Sequence, residues 1–450
     1  MPFTTQVAVE SEQNWPAGVP LTERKYIAPL VLVTTLFFLW AIGVNLNDIL
    51  IPHFKRAFGL TDFRSSLIQT AFFGGYFLAA LPAGWLMERV GYKRGILAGL
   101  LICAFGALLF IPAASIRAYE LFLLGLFVMA CGQSFLEVAA NPYVTILGPP
   151  ESAERRLNLA QSFNAVGAVA TPILGSFFIL SHVPTVPSGA TLSGAQLEAF
   201  RVAEARAVEL PYLGIALIFL AVAVLVSLSP LPETPVARDL SRQLDSGRTQ
   251  FWRILRFPHF IVGVGALFFY VGAQVGAASF VIRLVEHVKV GTSDVAAANY
   301  LKLHLLGFMI GRFSGSLLMK RISASSLLAA FAVASLLCIG LVLLAGGGLA
   351  GYGVAGLGFF HSIMFPTIFA LSLKGLGSYT KVGSSILVMA IIGGAICPAI
   401  MGYISDHSNI QRAFIVPLLC QGVVLWFALS SDRLARRHPV GELAEHRSSQ

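Results

Sequence analysis

Charge is what this chain has least of. Of 450 residues only 12% are Asp, Glu, Lys or Arg, while 56% are hydrophobic; soluble domains carry roughly 25% charge. That scarcity excludes a water-solvated globule and makes the bilayer the solvent. Cysteine is scarce too. Cys103, Cys131, Cys338, Cys397 and Cys420 fall inside apolar runs, with neither metal-ligand spacing nor the pattern of a secreted disulfide framework. They read as small packing residues, and no metal site is expected. Absent as well are a Walker-type phosphate loop and any Ser/His/Asp spacing, so neither an ATP-driven machine nor an enzyme is expected, and no cofactor. The first 26 residues are polar and acidic and lack a short apolar core with a cleavage site. A cleaved signal peptide is therefore not expected, and the first span serves as its own insertion signal. The net charge of +9 would suggest nucleic acid for a soluble protein. Here the basic residues sit mostly in alternate loops beside apolar runs, as orientation signals do, which excludes that partner.

What remains is apolar length. A spanning helix needs about 20 apolar residues, and twelve stretches approach it: 27–52, 66–87, 95–113, 120–147, 158–182, 209–229, 257–284, 296–319, 325–345, 350–373, 382–404 and 410–430. They predict an all-α integral membrane fold of twelve transmembrane helices in two pseudo-symmetric six-helix bundles, 27–229 and 257–430. Between them 230–256, with five Arg, reads as a linker. Residues 1–26 and 431–450 are tails, and 183–208 leaves room for a short amphipathic helix at most. An even number of spans puts both termini on one side. Placing them in the cytoplasm puts most of the 31 Lys and Arg in cytoplasmic segments, so the positive-inside rule selects this orientation in an inner (plasma) membrane.

The halves echo each other. Glu137 precedes Pro142 by five residues in span 4, and His361 precedes Pro366 by five in span 10. Gly167 and Pro172 in span 5 match Gly393 and Pro398 in span 11 at the same separation. Such pairs permit close helix packing and local bending. Two matches in the same order make chance the weaker reading.

The polar residues inside this apolar frame mark the candidate site. Glu137 lies about 15 residues into an apolar run, where an ionised carboxylate costs roughly 2.5 to 3.5 kcal/mol by insertion scales. After a short turn, Asn158, Gln161 and Asn164 follow at three-residue spacing, within one helical sector of about 120°. Both helices then face a shared wet cavity, suited to a polyhydroxylated solute. In span 1, Asn45 and Asp48 share a face, with Asp48 either in the outer half of the membrane or at its rim. Gln274 shares a face with Tyr270 and fits either a cavity or an interhelical hydrogen bond. His361 reads more readily as a satisfied neutral histidine than as a proton carrier. Tyr76, with Phe72, Phe73 and Phe77, offers an aromatic face to a sugar or simply packs, and packing is preferred. Arg312 either snorkels or pairs with an acid, and Asn141 satisfies backbone beside Pro142.

The turn after span 2, AGWLMERVGYKRG, is close to the G-x-L-x-D-R-x-G-R-R signature of the major facilitator superfamily, at Gly84, Leu86, Glu88, Arg89, Gly91, Lys93 and Arg94. Glu replaces the usual Asp and Lys one Arg. Physically, it is a charge latch at the cytoplasmic edge or a plain stop signal, and the recurrence of Gly, acid and base favours the latch. GRFSGSLLMKRIS after span 8 is a looser counterpart without the acid. The strings FFLWAIGVNLNDILIPHF, LEVAANPYVTILGP, RLNLAQSFNAVGA, NYLKLHLLGFMIGRFSG and GSSILVMAIIGGAICP resemble the fucose:proton symporter family within that superfamily, and reach from span 1 to span 11. The related glucose/galactose transporters share many of them. The resemblance implies proton coupling and sugar recognition at Asp48 and Glu137, with Gln161 and Asn164 lining a sugar cavity to which Asn45 and Gln274 are also assigned. It thus implies a monomeric sugar:proton symporter, L-fucose first and galactose or glucose next, with the proton as coupling ion. A non-transporting sugar sensor would need a larger soluble segment, and an uncoupled facilitator would not need two buried carboxylates.

Overall fold

In lipid a backbone has no water to bond, so apolar spans close their own hydrogen bonds as helices. The computed structural model describes residues 20–58, 62–178, 208–229, 252–289 and 294–436, with Leu231 and a few isolated positions between 194 and 206. It shows no strand among them. The helices are α1 (Ile27–Phe58), α2 (Asp62–Leu108), α3 (Phe110–Ile116), α4 (Tyr119–Ile146), α5 (Ala153–Phe178), α6 (Glu209–Leu228), α7 (Pro258–Val288), α8 (Asp294–Leu318), α9 (Ala324–Leu344), α10 (Gly347–His361), α11 (Met364–Leu373), α12 (Thr380–Met389), α13 (Gly393–His407) and α14 (Ile415–Arg436).

Each of the twelve expected spans falls on this series. Spans 2 and 3 are the two limbs of α2, which turns at Gly91 with φ 82°, a left-handed geometry that favours glycine. Span 10 is divided into α10 and α11, and span 11 into α12 and α13 around a single 3-10 turn, Ala390–Ile392. Nine helical stretches among the described residues are long and apolar enough to cross a membrane, and Thr70–Ile116, with 47 residues, covers two passes. α5 and α8 are not among them; both interrupt their apolar run with polar residues, Asn158, Gln161 and Asn164 in α5 and Lys302, His304 and Arg312 in α8. The tails, most of the linker and the 183–208 segment lie largely outside the described residues.

The halves pack as the repeat requires. Gly167 of α5 lies against the backbone of α1 at Phe38, and Gly393 at the start of α13 lies against the backbone of α7 at Phe268. The matched glycines thus make matched helix crossings. Across the halves, α5 packs on α8 and α11, while α2 and α4 pack on α12. At the end of the bundle holding the 147–153 turn, Arg156 is fully buried. It donates to the carbonyls of Val144 (2.7 Å), Thr145, Pro149 (3.2 Å) and Leu21 (2.9 Å), and so caps the C-terminus of α4 and holds residue 21 on it. Burial pushes this guanidinium down to about 10, still charged at neutral pH.

Candidate functional site

Helices α4 and α5 bring the acid and the amides together. Glu137 is buried at 2% exposure, and its Oε2 has no hydrogen-bond partner. One turn on, Asn141 donates to the Glu137 carbonyl (3.1 Å), and its Oδ1 accepts from Gln161 Nε2 (2.8 Å). Asn164 donates from Nδ2 to the Phe37 carbonyl of α1 (3.2 Å). Asn158 is turned to another task. Its amide donates to the Glu154 carbonyl (2.9 Å) and reaches Thr367 Oγ1 (3.3 Å) and Met319 Sδ (3.4 Å) in the other half. The amide sector therefore faces the seam between halves, with Gln161 bonded to the turn that follows the acid, Asn164 tied to α1 and Asn158 locked across the seam.

The two matched prolines explain part of how that seam is made. Proline has no N–H, so the carbonyl four residues earlier lacks its helical donor. For Pro142 that carbonyl belongs to Val138, and it accepts from Ser384 Oγ of α12 (3.0 Å). For Pro366 it belongs to Ser362, and it accepts from Arg312 Nε of α8 (3.0 Å). The break between α10 and α11 also leaves the His361 carbonyl to accept from the Tyr270 hydroxyl (2.8 Å). Arg312 continues across the seam. Its Nη1 donates to the Gln161 carbonyl and to Asn164 Oδ1 (3.4 Å), and its guanidinium lies 4.6 Å from the Phe308 ring centroid. At 4% exposure it does not reach out of the bundle, and among the described residues no acid forms a direct ion pair with it.

The remaining candidates separate. Asn45 donates to its own helix at the Ala41 carbonyl (2.7 Å). Asp48 has its backbone in α1, but its side chain lies outside the described residues. The Tyr76 hydroxyl accepts from Trp40 Nε1 (2.6 Å) and donates to Gln133 Oε1 (3.3 Å), tying α1, α2 and α4 together, while its ring packs on Phe72 at 5.2 Å. Packing is thus its visible role. His361 is fully buried, and its Nε2 lies 2.9 Å from the Gln421 amide nitrogen Nε2. Gln274 is half-buried on α7.

At the 88–94 turn the motif residues divide. Lys93 donates to the carbonyls of Ser227 and Ser229 (both 2.8 Å), a cap on α6 within its own half. Gly84 lies against Ser385 of α12, and Lys381 of α12 donates to the Met87 carbonyl (3.2 Å). Glu88 has one buried oxygen without a partner. Burial raises its carboxyl above the ordinary range, and Lys381 and Arg89 pull it partly back. The cross-half element of the motif is thus Gly84 and Glu88 facing Lys381 and Ser385. Arg312 and Ser384 are the site residues whose contacts the sequence did not foretell. Their signal was the proline four residues beyond each carbonyl they occupy.

A membrane-embedded helical carrier, with matched halves and a polar seam between them, is the class this arrangement defines. Residues 33–391 match the Major Facilitator Superfamily. The chain is 44% identical over 409 residues to the L-fucose-proton symporter of Escherichia coli K12, covering 90% of this chain and 93% of that protein. It is 42% identical over 413 residues to the glucose/galactose transporter of Brucella abortus, covering 92% and 96%. A crystal structure of the E. coli fucose:proton symporter aligns with a TM-score of 0.83 at 42% identity, over 91% of this chain and 99% of that one. A second, of the same transporter in the outward conformation, aligns with the same TM-score at 43% identity. The chain belongs to the major facilitator superfamily, and within it to the fucose:proton symporter family.

Proposed function

We propose that this chain imports a monosaccharide together with a proton by alternating access, with L-fucose as first candidate and galactose or glucose as the alternative. The observation that carries the reading is Glu137, a buried carboxylate with an unpartnered oxygen, one turn from the Asn141 amide that Gln161 bonds. A protonatable acid among amides both recognises hydroxyls and changes charge, which is what coupling needs. Proton first, sugar next is the expected order. Neutralising the carboxylate lowers the barrier to occlusion, and the amides then bind the hydroxyls. Glu137 and Asp48 are assigned to the proton. Gln161 and Asn164 are assigned to the sugar, with Asn45 and Gln274 completing the cavity wall.

The chain is read as a monomeric, non-enzymatic carrier of the inner membrane, with both termini cytoplasmic and the halves bounded at 27–229 and 257–430. In that orientation the contacts around Met87–Lys381, Arg155–Ser316 and Asn158–Thr367 seal the cytoplasmic end. Two relatives of nearly equal similarity carry different sugars in their names, which keeps hexose as the second reading. Uptake of labelled L-fucose, D-galactose and D-glucose into proteoliposomes under an imposed pH gradient tests the proposal. Accumulation of a sugar that collapses with the gradient supports it, and no gradient-driven uptake of any of the three overturns it.

A further inference from the structure

A buried guanidinium held by carbonyls, an amide and a ring face has most of its donors met without a carboxylate to balance its charge. Arg312 is in that position: its hydrogen bonds go to the Ser362 and Gln161 carbonyls and to Asn164 Oδ1. Among the described residues no carboxylate lies within ion-pair distance of it. On the other side of the seam Glu137 is in the reverse position, a buried carboxylate with Oε2 unpartnered. Gln161 links the two sides, bonded to Arg312 through its carbonyl and, through its side chain, to Asn141 one turn beyond Glu137 on α4.

We propose that Arg312 is a positioning residue that makes closure of the seam depend on whether Glu137 carries its proton. Its Nε is anchored in its own half by the carbonyl that Pro366 leaves free, so the guanidinium cannot follow α5 without breaking a bond. With Glu137 ionised, attraction across the seam adds to the Gln161 and Asn164 contacts and holds the halves together at this depth. With Glu137 protonated that attraction is gone, and only neutral-acceptor bonds remain to be broken as α5 and α8 part. Sugar hydroxyls that compete for the Asn164 amide weaken the same pin. Proton and sugar thus loosen one contact, which is the thermodynamic content of coupling. Among the described residues Tyr76 of α2 is the titratable group beside Glu137, and few stand near the guanidinium. Tyr270 approaches from α7 and His361 precedes Ser362 on α10, while α5 presents the amides of Gln161 and Asn164 and holds its charged residues, Glu154, Arg155 and Arg156, at its start.

The inference rests on the symport reading, and its test keeps the two separable. Arg312→Gln, Arg312→Lys and the parent are reconstituted and assayed with labelled L-fucose and D-galactose, both for sugar counterflow and for pH-gradient-driven uptake, between pH 5 and 8. Loss of a nearby cation lets a carboxylate hold its proton to higher pH. Arg312→Gln is therefore expected to move the pH midpoint of counterflow upward by about one unit and to lose gradient-driven accumulation at least tenfold. Arg312→Lys keeps the charge and is expected to keep the midpoint, at a reduced rate. In a Glu137→Gln background the Arg312→Gln shift should vanish. A parent without gradient-driven uptake defeats the symport reading itself. A transporting parent whose midpoint Arg312→Gln leaves unmoved, or a shift that persists in the Glu137→Gln background, overturns only the role of Arg312. Should Arg312→Gln fail to fold, Arg312→Lys decides: a midpoint unlike the parent's overturns the proposal.

Discussion

Two carboxylates are assigned to the proton, and their amide analogues separate the roles. Asp48→Asn mimics a permanently protonated group, so sugar counterflow should persist while accumulation driven by a pH gradient is lost. Glu137→Gln replaces a charge-assisted acceptor with a neutral one beside the amides, so sugar affinity should fall and its pH dependence should change. Binding and both forms of uptake from pH 5 to 8 check the pair. Full accumulation by Asp48→Asn, or unchanged affinity at every pH in Glu137→Gln, would remove the residue concerned. The amides belong to the same scale. Gln161→Ala and Asn164→Ala should each weaken sugar binding by about 1 to 3 kcal/mol, because a hydroxyl then loses its partner. Gln161→Ala also orphans Asn141 Oδ1, so a lower melting temperature should accompany its loss of affinity, and calorimetry on folded protein measures both. Wild-type affinity in both variants would take the amides out of the site.

Among elements, the crossings of α5 on α1 and of α13 on α7 carry the internal repeat. The Gly167 and Gly393 positions leave no room for a side chain, since an added Cβ would meet the facing backbone. Gly393→Val should therefore force α13 off α7 and destabilise the protein by about 1 to 3 kcal/mol, read as a lower melting temperature in detergent. A melting temperature equal to the parent's would refute the close crossing. The repeat and the spans were legible in the sequence because hydrophobic length and Gly/Pro spacing are local signals. The reason Glu137 sits beside Gln161 was legible only as a need, a carboxylate and an amide sector each lacking a partner. Arg312 was not legible in its actual role. A lone arginine in an apolar run fits snorkelling or an acid partner equally well, and what decided against both was a carbonyl freed by Pro366 on another span. Asn158 likewise shares the amide sector by periodicity, yet its position against Thr367 is set by how the halves meet.

For the whole molecule the question is what opens the end where α2 and α12 meet. Glu88 sits there with burial raising its carboxyl and Lys381 opposing the rise, in a region where Lys381 also donates to the Met87 carbonyl. When the end opens, Glu88 gains water and its carboxyl returns toward the ordinary range. In the window between the ordinary and the raised value, the sealed state therefore binds more protons than the opened one. Linkage then gives the sign: lowering the pH through that window favours the sealed state, and raising it favours opening. Glu88→Gln cannot titrate, so it should remove this dependence and slow turnover, while sugar affinity stays close to the parent's because the site lies deeper in the bundle. The check is a cysteine placed by Ser385→Cys against Gly84, in a background lacking the five native cysteines, labelled with a maleimide as pH varies and corrected for thiolate fraction. With Glu137→Gln added to both proteins, so that the seam's own acid no longer titrates, corrected labelling should rise as pH rises through the window where Glu88 is present and be flat in Glu88→Gln. Unchanged turnover in a well-folded Glu88→Gln, or a labelling profile that still follows the parent's, would reduce this turn to an orientation signal with no part in the cycle.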